Sequence, residues 1–221
     1  MLSALASAVA PRSFSTWAKE GRADVKYVKC AACEAAIAEL HKQVAKARAG
    51  GSTSEEAIHA QIEAVCKPES DGGAWLRAVD LVEEGDALRL VAQATDGPCE
   101  RECATVTLAC EAALEGGADE LGEQLYVSEL DAAKLAAEHC ASKCRKPPPP
   151  LDPQRQAGPP FRPFTDFERA QRDHERGVPP PPGVLADVDL DRMLGLVDDG
   201  SLPDDGSPEA VARAADAFRP L

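Results

Sequence analysis

Cysteine spacing constrains this chain more than any other feature. All eight cysteines fall between Cys30 and Cys144. Cys30 and Cys33, Cys99 and Cys103, and Cys140 and Cys144 stand in close pairs, with Cys66 and Cys110 between them. An even number confined to one segment reads as a disulfide framework, and so as a protein of an oxidising compartment. The rival is a reduced set in which Cys30, Cys33, Cys140 and Cys144 hold zinc. Both pairs lie in alanine-rich helical sequence, without the glycine or aromatic neighbours of zinc-binding turns, which favours disulfides. No metal site and no cofactor is expected.

The periodicity around the cysteines is helical. Val25, Val28, Ala32, Ala36, Ile37, Leu40 and Val44 recur at three- and four-residue steps, while Lys29, Glu39, Lys42 and Lys46 take the other side, predicting a helix over 25–49 that stops at Gly50-Gly51. A second helix is expected from Ser52 or Thr53, each of which opens a capping box, with Ile58, Ile62 and Val65 inward. From Trp75 to Gln93 the period changes. Apolar residues on either side of Glu83-Glu84-Gly85-Asp86 suggest a small hairpin pinned by Trp75. Helical spacing returns with Val106, Ala109, Cys110, Ala113 and Leu114, then over 119–126, and again from Ser128, the expected N-cap, to Cys144, with Leu130, Leu135 and Ala136 inward.

Residues three or four apart share a helix face. Each terminal cysteine pair therefore presents both sulfurs to one neighbour, rising about 4.5 Å and 6 Å along its axis. If the first and last helices run antiparallel, the outer cysteines meet each other and so do the inner ones, giving Cys30–Cys144 and Cys33–Cys140. A parallel arrangement would swap the partners and send the chain back across the fold. Cys66–Cys110 would then clamp the middle, and Cys99–Cys103 would close a local loop. Closing a loop of about 110 residues is worth roughly 4–5 kcal/mol in the chain-entropy account.

Composition sets the limits of this unit. Of the 18 prolines, 15 lie at or after Pro147, and no lysine follows Lys146. The expected organisation is a targeting leader over 1–23, a stapled helical domain over 24–146, and a disordered, proline-rich acidic tail over 147–221. Two apolar islands, 188–197 and 208–218, interrupt that tail as transient helices or docking segments. Ala8-Val9-Ala10 has the form of a signal-peptidase site, although Pro11 follows it, no basic residue precedes the short apolar run, and the serine-rich stretch 11–16 also resembles an organelle transit peptide. No stretch is apolar enough to span a bilayer. A net charge of −14 argues against nucleic acid and anionic membranes as partners.

Nested cysteines of this kind resemble the saposin-like pattern, and more closely the canopy family of the endoplasmic reticulum. Four stretches carry the likeness: Lys29-Cys30-Ala31-Ala32-Cys33-Glu34, Ala64-Val65-Cys66, Leu108-Ala109-Cys110-Glu111 with Glu120-Leu121, and the closing Cys140/Cys144 pair. The segment 75–110, with Cys99-x-x-x-Cys103, is similar to plant and algal saposin B-type domains. The resemblance covers about 24–146. It implies a mainly α, four- or five-helix stapled fold with the hairpin as an insertion, in the endoplasmic reticulum lumen or secreted. Cys99 and Cys103 exceed the six-cysteine pattern, and Phe218-Arg219-Pro220-Leu221 is no retention signal.

Three functions follow. The first is a non-enzymatic, canopy-like adaptor or co-chaperone for protein partners in the secretory lumen. The second is a saposin-type lipid binder, disfavoured by helix faces rich in alanine (Ala31, Ala32, Ala35, Ala36, Ala109, Ala112, Ala113, Ala133, Ala136, Ala137) and by an aromatic content of 4%. The third is a thiol oxidoreductase using Cys30 and Cys33, disfavoured because the motif lies inside a helix, away from its N-terminus. No catalytic constellation is expected: His41 and His59 read as solvated, His139 and His174 as isolated, Glu83, Glu84 and Asp86 as a turn. Asp187, Asp189 and Asp191 lack the rest of an EF-hand.

Overall fold

The computed structural model describes residues 12–51, 53–127 and 131–178, which fall into two units dividing between Phe164 and Thr165. The first unit is built around one long helix. Helix α1, Phe14–Gly21, leads through a 3₁₀ turn, Arg22–Asp24, into α2, Val25–Ala49. Then follow α3 (Glu55–Val65), a 3₁₀ turn (Ala74–Ala78), strands β1 (Val79–Glu84) and β2 (Ala87–Ala92), and helices α4 (Arg101–Leu114), α5 (Ala118–Val127), α6 (Ala132–His139) and α7 (Ala141–Cys144). The fold is mainly helical and disulfide-rich, with one small sheet, as the periodicity predicts.

Helix α2 is the axis because its apolar stripe is continuous. Val28, Ala32, Cys33, Ala36, Ile37 and Leu40 are fully buried, and α3, α4, α6 and β2 all pack against it. One core joins α2 to α3, α5 and α6 through Ile37, Leu40, Val44, Ile58, Ile62, Val65, Leu121, Leu125 and Leu135. A second joins α2 and α4 to the hairpin through Tyr27, Val28, Leu76, Val79, Leu81, Leu88 and Val106. Each buried leucine or isoleucine contributes about 1.5–3 kcal/mol relative to exposure. The strands pair antiparallel, Leu81 opposite Leu90 and Glu84 opposite Ala87. Gly85 at φ +60° opens the two-residue turn, a position L side chains resist, while Asp86 keeps a negative φ, the type II′ pattern.

Several boundaries differ from the sequence reading. Ser54, not Ser52 or Thr53, caps α3, its Oγ accepting from Ala57 N at 3.1 Å; Ser52 itself lies outside the described residues. Asp131 caps α6, accepting from Lys134 N at 2.8 Å, where the sequence points to Ser128, which with Leu130 lies outside them. The expected closing helix is two, broken at Cys140.

Both ends of the domain also extend further than expected. Residues 14–23, read as leader, form α1 and its following turn, and α1 packs on α4 so closely that a Cβ on Gly21 would strike Thr105 Oγ1. Residues 147–164, read as disordered tail, form a strap across the hairpin side of the first unit. Leu151 N donates to Asp86 O at 3.0 Å and Phe164 N to Asp96 O at 3.2 Å. Asp152 N donates to the Tyr27 hydroxyl at 3.1 Å. Proline-rich sequence cannot make a core, but it can lie on one, since its missing N–H groups need no partners.

The second unit contains α8, Asp166–Glu175, opened by a full capping box between Thr165 and Glu168. A helix therefore stands inside the stretch read as disordered. The signal-peptidase-like Ala8-Val9-Ala10, the apolar islands 188–197 and 208–218, and Asp187, Asp189 and Asp191 lie outside the described residues. No helix among the described residues is long and apolar enough to cross a membrane.

Candidate functional site

The α2 cysteines meet Cys140, at the α6–α7 break, and Cys144, at the end of α7, as two adjacent bridges. Cys30 bonds Cys144 with Cα atoms 4.8 Å apart, and Cys33 bonds Cys140 at 5.9 Å. Cys66 at the end of α3 bonds Cys110 in α4 at 5.6 Å, and Cys99 bonds Cys103 at 5.0 Å. The first two are the partners expected of antiparallel terminal helices, and the other two join the remaining cysteines as the sequence suggests. All eight cysteines are bonded, so the sulfurs beside Glu34, those of Cys30 and Cys144, offer no thiolate to a metal. Cys30 and Cys33 bond distant partners rather than one another, which removes the bridge a Cys-x-x-Cys oxidoreductase needs.

An open trough of about 660 Å³ lies between the start of α2, the end of α3, α4 and the start of α5. Its floor is apolar: Val25, Ile62, Leu108, Leu114 and Ala118. Three exposed glutamates, Glu63, Glu111 and Glu115, stand on its rim with one exposed arginine, Arg22. The geometry follows from α4 and its C-cap, where Leu108, Glu111, Ala112 and the capping Glu115 fall at three- and four-residue steps beside the buried stripe. Sequence reasoning missed this site. The available signal was Leu108, an apolar residue one step off the buried face of its helix.

A second polar assembly lies under the strap. Asp24, only 3% exposed, meets Arg101 Nη2 at 3.0 Å and Arg155 Nη2 at 3.1 Å. Arg155 also pairs with Glu83. Beside them, Glu102 accepts from Leu81 N at 3.0 Å. Burial and a hydrogen bond shared with Asp80 push its carboxyl up to about 8. Burial and a neighbouring carboxylate both disfavour the charged form of Glu102. Glu83, expected to be an ordinary turn residue, is thus a ligand of the strap arginine, whereas Glu84 pairs with Arg89.

The three histidines of the first unit stand in different surroundings. His59 is half-buried against Gly122 of α5, where a Cβ would come within 2.9 Å of its Nε2, and His41 is half-buried against Leu125 and Leu135. Neither is solvated as expected, because α5 and α6 close over them. His139 faces Gly117, and burial lowers its pKa, offset in part by Glu120. Its neighbour Cys140 is bonded and cannot act as a nucleophile. His174 stands on α8, in the second unit. Trp75 has the pinning role expected of it: its Nε1 donates to Val65 O at 2.9 Å, tying the hairpin's approach to α3.

Comparison with family models, curated proteins and solved structures finds no match for this chain.

Proposed function

We propose that the chain is a non-enzymatic binding module of an oxidising compartment, a canopy-like adaptor or co-chaperone for protein partners. The trough carries this reading. Its floor accepts apolar side chains and its glutamate rim favours lysine or arginine, so it fits an amphipathic basic segment of another protein. The net charge of −14 draws such a segment in from a distance.

Saposin-type lipid binding is the competing reading. It needs helices that part to expose a broad apolar face. Here α2 is bonded to the α6–α7 end and α3 to α4, and small residues such as Ala32, Ala36 and Ala109 fill the helix contacts. Those features favour a fixed surface over an opening one.

The test titrates the oxidised full chain with a leucine–lysine peptide of helical amphipathic spacing and, separately, with phosphatidylserine vesicles in acid and at neutral pH. The adaptor reading expects salt-sensitive peptide binding that weakens by about tenfold in the Glu111→Lys/Glu115→Lys variant. Vesicle binding in acid, with no affinity for the peptide, would replace it with the lipid reading.

A further inference from the structure

Pro147–Pro150 is an exposed extended segment held at both ends. On one side Cys144 is bonded to Cys30 and the Lys143 ammonium donates to Ala112 O at 2.8 Å. On the other, Leu151 N donates to Asp86 O and the side chain packs against the hairpin core. Between these anchors all four prolines are exposed.

The backbone of the run is set by its chemistry. Each ring fixes φ near −65°, and Lys146 and the first three prolines each precede a proline, which bars the α region. The segment is therefore polyproline II, about 12 Å long. Proline has no N–H, and no hydrogen bond from a described residue reaches these carbonyls. All four residues of the run are exposed together. Pro68 is buried and Pro98 half-buried. Pro153, Pro159, Pro160 and Pro163 are exposed as well, but none of them stands in a run of consecutive prolines longer than two.

We infer that Pro147–Pro150 is a hydroxylation site for a 2-oxoglutarate-dependent prolyl 4-hydroxylase that grips polyproline II chain in an aromatic-lined groove. The inference rests on the oxidising-compartment part of the proposed function, not on the trough. One ring Cγ–H becomes Cγ–OH, and dioxygen supplies that oxygen. Its second oxygen enters 2-oxoglutarate, which loses carbon dioxide and becomes succinate. The ring and the oxoacid each give up two electrons, and dioxygen takes all four. Holding the ligand extended in advance removes the ordering cost that a free peptide would carry into the groove. Arg145 and Lys146, both exposed, flank the run with positive charge in an otherwise acidic chain.

The test incubates the full chain, disulfides intact, with such an enzyme, dioxygen and 2-oxoglutarate, and maps the tryptic peptides by mass. The expected result is a gain of one oxygen mass on at least one proline of the run and none on Pro68 or Pro98. In the Pro148→Ala/Pro149→Ala variant the remaining Pro147 and Pro150 should lose that gain. No gain, or gain only after reduction and unfolding, overturns the assignment. So does an unmodified run in protein isolated from its own source. Loss of peptide binding at the trough would leave these masses unchanged, so the two readings fail separately.

Discussion

The closing helices and the strap that follows them occupy neighbouring stretches of chain, yet they are attached by different physics. Helices α6 and α7 are held by two covalent bonds to α2. The strap is held by Arg155, two backbone hydrogen bonds to Asp86 and Asp96, one to Tyr27, and the packing of Leu151. A covalent staple acts mainly by restricting the unfolded chain, and it is insensitive to pH and salt. A buried ion pair acts only in the folded state, and it leaves an uncompensated charge when one partner goes. One end of the domain is therefore closed by a bond that chemistry must break, the other by contacts that solution conditions can reach.

Removing both terminal bridges together (Cys30, Cys33, Cys140 and Cys144 all to Ala) should have the largest effect, a loss of about 4–5 kcal/mol read by urea denaturation. The two bridges are nested, so once one is made the other closes only a short ring. Removing either alone should cost far less than half of the joint loss, a non-additivity that a double-mutant cycle measures directly. Equal, additive losses would mean that the terminal helices are not held as one staple.

Arg155→Ala comes next. It leaves Glu83 unpaired and Asp24 with Arg101 alone, at a cost of about 2–4 kcal/mol, and limited proteolysis should then cut within 151–164 before the helices. A strap that resists protease without Arg155 would show that packing, not charge, holds it.

Glu102 supplies a smaller, pH-dependent effect. Its carboxyl sits at about 8 in the fold against an ordinary 4.5, so between those values the folded state binds the extra proton. Its stabilising contribution is complete below pH 4.5 and is lost as pH rises through about 8. With partial solvent screening the change is roughly 1–2 kcal/mol. Glu102→Gln keeps the hydrogen bonds of the protonated acid and should flatten this slope in thermal melts across that range. The smallest effect is expected from Cys99→Ala/Cys103→Ala, about 1 kcal/mol, because a bridge across four residues excludes few unfolded conformations.

What could be read from the sequence follows the same division. The bridges and α2 were legible because helical spacing is a local property: i, i+3 and i, i+4 pairs share a face whatever the rest of the chain does. The hairpin was legible from its change of period and from Gly85. Ser54 was missed because two capping boxes overlap just before it, and its bond to Ala57 N needs no glutamate to announce it. Helix α1 was hidden by a composition that suits a targeting peptide equally well. The strap was illegible because Arg155 finds Asp24 and Glu83 from the far end of the unit, and composition says only that such a segment builds no core of its own. The trough was half-visible: Leu108 and Glu111 stood in a recognised motif, but Leu108 matters for pointing away from the stripe that periodicity detects.

The Cys30–Cys144 bridge also determines how the molecule would carry a load. Tension applied between Arg12 and Phe164 runs along α1 and the first turns of α2, crosses at the sulfur pair, and leaves through Pro147. Everything between residues 30 and 144 is bypassed, including the first core, whereas Arg22 and Val25 at the edge of the trough and Tyr27 and Val28 of the second core stay on the loaded path. Pulling would peel α1 and the strap and draw Arg22 and Val25 away from the trough, while its α3, α4 and α5 walls stayed slack behind the bridge.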